Sequence, residues 1–148
     1  MIDFARIKDI REDNDLSQES ISEILGVKRS TYSMWEVGIN IISLKYLYKF
    51  AQYFNYSIDY VLGLTNDRTT VTMNKELDLQ KLGNNMKIIR LNNGLYQKDI
   101  AKLLNVKQSS IAKYEKGLIP IPTENLYTFC KAFNLSFYDI VNQEFTLN

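Results

Sequence analysis

The 148-residue sequence has no histidine, one cysteine, two prolines and no long apolar run. Without histidine the chain lacks the commonest general base and the commonest zinc ligand. A lone cysteine makes neither an internal disulfide nor a multi-thiolate metal site, which fits a reducing cytoplasm. No apolar stretch approaches the ~20 residues that span a bilayer. The opening Met1-Ile2-Asp3-Phe4-Ala5-Arg6 carries charges where a secretory signal would have its apolar segment. An excess of one charge is missing too: 18 Lys+Arg offset 17 Asp+Glu, a formal net charge of +1. That balance excludes a uniformly basic, tail-like nucleic-acid binder. It leaves room for a local basic face, because net charge is a sum and binding is local. No glycine-rich phosphate loop or metal-ligand cluster is present. The expectation is therefore a non-enzyme with no catalytic residue, no metal, no cofactor and no membrane partner. With 45% apolar residues the chain has enough apolar side chain for packed cores.

What the sequence does have is itself, twice. Shifted by 79 residues, it matches without gaps: residues 4–62 against 83–141 agree at 20 of 59 positions. Asn14-Asp15-Leu16-Ser17-Gln18 falls on Asn93-Gly94-Leu95-Tyr96-Gln97, and Trp35-Glu36-Val37-Gly38 on Tyr114-Glu115-Lys116-Gly117. Two units are too few for a solenoid, so the chain reads as two copies of one domain. The expected boundaries are a first domain over 1–64, a linker over 65–78 and a second domain over 79–148.

Each copy reads as five short helices, an all-α class. Phe4, Ile7 and Ile10 recur at helical spacing. Ser17 is placed to cap a second helix with Ile21, Ile24 and Leu25 inward. Gly26 follows, where a left-handed helix end favours glycine or asparagine, and the second copy has Asn105 there. A third helix runs from about Lys28 to Glu36. Ser43 starts a fourth, with Leu44, Leu47, Phe50 and Ala51 inward. Ser57 starts a fifth, with Ile58, Val61 and Leu62 inward. In the second copy Pro120 and Pro122 fix the loop before helix four. Cys130 sits where the first copy has Ala51, as a small apolar filler. The linker is polar, its Thr69-Thr70-Val71-Thr72 run is β-branched and disfavours helix, and Asn74 is placed to cap an early start to the next helix.

The stretch from Leu16-Ser17-Gln18-Glu19-Ser20-Ile21 through Lys28-Arg29-Ser30-Thr31-Tyr32 to Trp35-Glu36 is a helix, a tight turn and a second helix. It resembles the lambda repressor/Cro (XRE) family of bacterial and phage helix-turn-helix regulators. In the second copy Gln97, Ile100, Ala101, Leu104, Val106, Ser109, Ile111 and Glu115 carry the same resemblance. The family likeness implies that the third helix of each copy enters a DNA major groove. It selects Lys28, Arg29, Ser30, Ser33 and Met34 in the first copy, and Lys107, Gln108, Ser109, Ala112 and Lys113 in the second. It also implies that Gln18 and Gln97 donate to a DNA phosphate at a helix start. Arg29 suits guanine and Gln108 suits adenine. Lys28 and Lys107 depart from the family, which usually has Ser or Thr at that cap. A nearby phosphate, or simple tolerance of an imperfect cap, accounts for them. Arg11 with Glu36, and Arg90 with Glu115, match a family ion pair between helices one and three. Trp35 and Tyr114 are expected to anchor helix three to the core. Tyr46, Tyr48, Tyr53, Tyr56 and Tyr60 are expected at the core edge or at an interface.

The copies differ in charge. Residues 1–66 carry seven basic and nine acidic side chains, and residues 82–148 carry eight and five. Over Gln18–Val37 the sum is −1, and over Gln97–Lys116 it is +3. Phosphate neutralisation dominates DNA affinity, so the second copy is the expected stronger binder. A 14-residue linker reaches up to ~46 Å extended, enough for half-sites about 34 Å apart. The expected partner is double-stranded DNA, bound by an intramolecular pseudo-dimer or by a homodimer formed through Phe137, Ile140 and Phe145. The leading expectation is a transcriptional repressor acting by promoter occlusion. The alternative is a protein-interaction module on the same fold, an antitoxin or phage-encoded inhibitor, using the acidic first copy.

Overall fold

Helix boundaries in this chain follow from residues that tolerate a left-handed backbone. A computed structural model describes residues 2–68 and 76–148. Gly26 (φ 76°) and Asn105 (φ 54°) adopt the left-handed conformation at equivalent helix ends, as their interchange implies. Asn55 and Asn134 do the same after helix four of each copy. The chain divides into two compact units, Met1–Lys75 and Glu76–Asn148. Unit 1 holds α1 (Ala5–Asp13), α2 (Gln18–Leu25), α3 (Arg29–Glu36), α4 (Leu44–Phe54) and α5 (Ile58–Val61). Unit 2 repeats them as α6 (Leu79–Asn92), α7 (Gln97–Leu104), α8 (Gln108–Glu115), α9 (Thr123–Ala132) and α10 (Phe137–Asn142). Among the described residues there is no strand, and no helix is long and apolar enough to cross a membrane.

Side-chain caps set several helix starts. Ser17 Oγ accepts the Ser20 amide at 3.0 Å, and Ser57 Oγ accepts that of Tyr60 at 3.0 Å. Ser43 precedes α4 without such a bond. Asp78 Oδ1 accepts the Lys81 amide at 3.0 Å and starts α6; Asn74 lies outside the described residues. Pro122 stands at the cap of α9. At α7 the arrangement is reversed, with the Tyr96 amide donating to Asp99 Oδ2 at 2.7 Å.

The core of unit 1 is the expected inward set: Ile7, Ile10, Ile21, Leu25, Leu44, Leu47, Phe50, Ala51, Ile58, Val61 and Leu62 are buried. Apart from Ala51, each such side chain contributes on the order of 1.5–3 kcal/mol on leaving water. Ile24 is a correction, because it is 38% exposed. The inward arc of α2 runs through Ile21, Ser22 and Leu25, all buried, which leaves Ile24 at the rim. A second correction concerns Phe137 and Ile140, offered above as a dimer surface. They are 1% and 0% exposed, filling the core of unit 2, and only Phe145 of the three is half-exposed. Tyr48 and Tyr60 are buried, Tyr46 and Tyr56 intermediate and Tyr53 exposed, so the tyrosines do not act as one group. Cys130 is buried.

A polar residue on helix one ties down the exit from helix five in both units. Arg6 Nη1 donates to Tyr60 O (3.1 Å) and Thr65 O (3.3 Å), and Nη2 to Asn66 Oδ1 (3.0 Å). At the equivalent position Asn85, 2% exposed, donates to Ile140 O and Gln143 O, both at 2.8 Å, and accepts the Phe145 amide at 3.3 Å. Thr65 and Asn66, read above as linker, thus pack onto unit 1.

The units differ where helix one begins. α1 has 9 residues and α6 has 14. Phe4, just before α1, lies with its ring against Gly38, where a Cβ would sit 2.9 Å from the ring. In unit 2 the matching residue is Gly83, and the added turn of α6 approaches the end of α8. A Cβ on Gly83 would collide with Tyr114 O and lie 2.8 Å from Glu115 O, both backbone atoms. Backbone cannot swing aside as a side chain does. Gly83→Ala should therefore cost unit 2 about 2 kcal/mol, within the usual range for overpacking. Calorimetry should show that as a fall of about 10 °C in Tm.

Candidate nucleic-acid interface

A buried ion pair fixes helix three of each unit. Arg11 Nε and Nη2 donate to Glu36 Oε1 and Oε2 at 2.6 and 3.3 Å. Arg90 Nε and Nη2 donate to Glu115 Oε2 and Oε1 at 2.7 and 3.0 Å. The remaining guanidinium nitrogen, Nη1, donates to the turn before helix two: Leu16 O at 2.8 Å and Leu95 O at 2.9 Å. The amide of Gln18 adds a bond to Glu36 Oε2 at 2.9 Å, and that of Gln97 a bond to Glu115 Oε1 at 3.0 Å. One carboxylate thus joins helix one, the first turn of helix two and the last turn of helix three. Bidentate Arg–carboxylate pairs are directional, so the node sets an angle as well as a contact.

In unit 1 burial works to raise the Glu36 pKa, but hydrogen bonds from Arg11 and Gln18 outweigh it and hold the carboxyl below its ordinary value. The bond to Glu36 raises Arg11. Tyr32 lies beside the node, and burial, assisted by Glu36, pushes its phenol far up. Its hydroxyl is fully buried beside Glu36 and Arg11. The equivalent residue in unit 2 is Ile111, which has no hydroxyl to satisfy. Trp35 stacks edge-on to Tyr32 with centroids 6.0 Å apart and meets Tyr46 at 5.5 Å, so it anchors α3 as expected. Tyr114 is likewise buried.

With the C-terminal ends of α3 and α8 held, their opening turns face outward. Lys28, Arg29, Ser30, Lys107, Gln108, Ser109 and Lys113 are exposed, and Ser33, Met34 and Ala112 are half-buried. Arg29, Ser30, Ser33 and Met34 follow i, i+1, i+4, i+5 spacing and share one face, as do Gln108, Ser109, Ala112 and Lys113. Lys28 and Lys107 stand at the caps of α3 and α8, and neither helix has a side-chain cap bond. The opening amides there are free of the Ser or Thr that the resemblance would supply. Gln18 and Gln97 are only half-exposed. Their amides are already bound to Glu36 and Glu115, a partner that sequence reasoning did not assign to them.

Burial also reshapes the charge. Glu36 and Glu115 are neutralised inside the node, which removes one negative charge from each face. The other charges over Gln18–Val37 are Lys28 and Arg29 against Glu19 and Glu23, a sum of zero. Over Gln97–Lys116 they are Lys98, Lys102, Lys107, Lys113 and Lys116 against Asp99, a sum of +4. Three further features of the rim were not singled out from the sequence. Tyr96 is 69% exposed beside Gln97, with Lys98 Nζ 5.4 Å from its ring centroid. Ile39 and Leu118, 70% and 68% exposed, follow α3 and α8. The available signal was the replacement of Ser17 by Tyr96 at an otherwise matched place.

A helix-turn-helix family model matches residues 7–61 and again 86–140. The chain belongs to the helix-turn-helix family of lambda repressor/Cro (XRE) type. It is an all-α tandem of two such domains. It is 33% identical over 67 residues to Antitoxin PezA of Streptococcus pneumoniae, a match covering 45% of this chain and 42% of that protein. It is 32% identical over 62 residues to the uncharacterized HTH-type transcriptional regulator YobD of Bacillus subtilis, covering 42% and 55%. The chain thus spans about half the length of the curated relatives it matches. A crystal structure of a hypothetical transcription factor, NHTF, from Neisseria aligns with a TM-score of 0.39 and 24% identity, over 47% of this chain and 86% of that one.

The node makes this helix-turn-helix protein sensitive to acid in a defined direction. The lowered Glu36 pKa means that its contribution to stability is complete above the ordinary carboxylate value of 4.5. It is lost as pH falls through the lower folded value. Trp35 is the sole tryptophan, so its fluorescence reports unit 1. At pH 7 Glu36→Gln should cost unit 1 about 3 kcal/mol, since it leaves Arg11 buried without its counter-charge. The difference between wild type and variant in urea midpoint should hold from pH 7 to about 5 and shrink below that.

Proposed function

We propose that the protein is a cytoplasmic repressor that occludes promoter DNA, with unit 2 supplying most of the affinity and unit 1 adding sequence discrimination. The observation that carries this reading is the exposed, lysine-rich face of α7 and α8, set on a buried Arg90–Glu115 node equivalent to the one that holds the weaker face of unit 1. Lys98, Lys102, Lys107, Lys113 and Lys116 would neutralise phosphates, and each phosphate neutralised steepens the salt dependence of binding. In the major groove Gln108 would read adenine and Arg29 guanine, with Ser30, Ser33 and Ser109 serving bases or phosphates. Lys28 and Lys107 at the uncapped helix starts, and the remaining amide hydrogens of Gln18 and Gln97, would meet the backbone, where helix dipoles attract anions. Gln18 and Gln97 then have two tasks, one toward Glu36 or Glu115 and one toward a phosphate. Joining the units raises the effective concentration of the second to around millimolar, so a tandem of unequal half-sites binds better than either alone.

The likeness to an antitoxin favours a second reading, in which unit 1 has become a protein-binding module. Its acidic α2 face supports this. Capture of a stoichiometric protein partner by the full chain, with no DNA bound at low salt, would favour it over the repressor reading.

Selection of bound sequences from random DNA, followed by affinity measurements against salt, tests the repressor reading. Binding should weaken steeply with salt, with a log–log slope of several. Lys113→Ala should reduce that slope by about one, and Gln108→Ala should cost about tenfold on the preferred site. Arg29→Ala and Ser30→Ala should each cost less. A slope of zero, or the reverse ranking of the two units, would reject the proposal.

A further inference from the structure

We propose that the exposed α2 face of unit 1 docks on the exposed α7 face of unit 2 of a second copy of this chain. The two faces are the same surface of one fold with its charges reversed. Under the 79-residue shift Glu19 falls on Lys98, Glu23 on Lys102 and Ile24 on Leu103. All four charged side chains are exposed. Ile24 and Leu103 are 38% and 40% exposed, so each charge pair stands beside an apolar side chain that its own core leaves out.

Each face carries a single sign. α2 holds two acidic and no basic residues. α7 holds Lys98 and Lys102, and its one acidic residue, Asp99, is turned back to accept the Tyr96 amide at 2.7 Å. Glu19, Glu23, Lys98 and Lys102 form no ion pair within 4.0 Å among the described residues. Both pairs are spaced i, i+4, one helical turn. Two acids on one helix therefore meet two lysines on the other at the same spacing. Contacts between like faces repel, so a second copy is accepted in one arrangement: α2 against α7. When each copy gives α2 to its partner's α7, the two contacts are related by a two-fold axis and the assembly closes as a dimer. Lys98 and Lys102 are also drawn on by the DNA reading, so this dimer is the state of the DNA-free chain; the inference does not rest on DNA binding, and its test contains no DNA.

Analytical ultracentrifugation of the full chain decides it. At ~50 mM salt the wild type should sediment at twice 17.3 kDa. At about 0.5 M salt, where exposed charges are screened within a few ångströms, it should return toward 17.3 kDa. The variant with Glu19→Lys and Glu23→Lys has two basic faces, and the variant with Lys98→Glu and Lys102→Glu has two acidic ones. Each alone should be monomeric at low salt, and an equimolar mixture should restore the dimer. The milder Glu23→Gln and Lys102→Gln, which each remove one of the two charges from a face, should each weaken dimerisation about threefold. Circular dichroism unchanged from wild type confirms that the variants are folded. A wild type that stays monomeric at low salt would overturn the proposal. So would charge-reversed variants that dimerise alone, or a mixture that remains monomeric.

Discussion

The buried Arg–Glu pair is the contact on which the seating of helix three depends in each unit. A short helix of eight residues is marginal on its own, because nucleation is costly and few hydrogen bonds repay it. α3 and α8 are that short. Their direction comes instead from the carboxylate at their C-terminal end, held by three N–H donors from one guanidinium and one glutamine amide of other elements. Buried charge pairs are weak devices for stability, since desolvation offsets much of the attraction. They are good devices for angle, because both oxygens must be met at once. Seating so short a helix calls for an angle more than for strength.

Holding helix three from its far end leaves its opening turns free to vary. The two units share the node and differ widely beyond it. Arg29 is matched by Gln108, Met34 by Lys113, Glu19 by Lys98 and Glu23 by Lys102. None of these side chains contributes to the core, so exchanging them costs the fold little. The near-neutral total charge is the sum of two surfaces that diverged on one scaffold. The same freedom is absent at Arg11, Glu36 and their counterparts, where every polar atom is committed.

Much of this was legible in the sequence because the repeat supplied a second reading of every position. Gly26 and Asn105 interchange only where a left-handed turn is required, and the turn is there. Arg11–Glu36 and Arg90–Glu115 share one spacing, and both pairs close. What stayed hidden depended on arcs narrower than a pattern of apolar letters resolves. Ile24 sits three residues from Ile21, yet Ser22 takes the inward place and leaves it exposed. Phe137 and Ile140 lie near the end of the chain, where apolar residues suggest a surface for a partner. The helix is only six residues long and turns its apolar side chains inward. The second role of Gln18 and Gln97 was also invisible, because a glutamine at a helix start carries no mark of the carboxylate it will meet.

The node has a different neighbour in the two units. In unit 1 the residue packed against it is Tyr32, whose hydroxyl is buried beside Glu36 and Arg11. Unit 2 places Ile111 there and has no hydroxyl to accommodate. Tyr32 offers a ring for Trp35 to pack on, edge to face, and the indole also meets Tyr46. Unit 2 has Tyr114 and Asn125 at the positions of Trp35 and Tyr46, and no ring pair of that kind is recorded there among the described residues. Aromatic packing thus orients α3 in unit 1, while in unit 2 the close approach of Gly83 to the end of α8 does the same with backbone against backbone. Two different means of seating helix three, on an ion pair that both units share, are what let two unequal exposed faces rest on one fold.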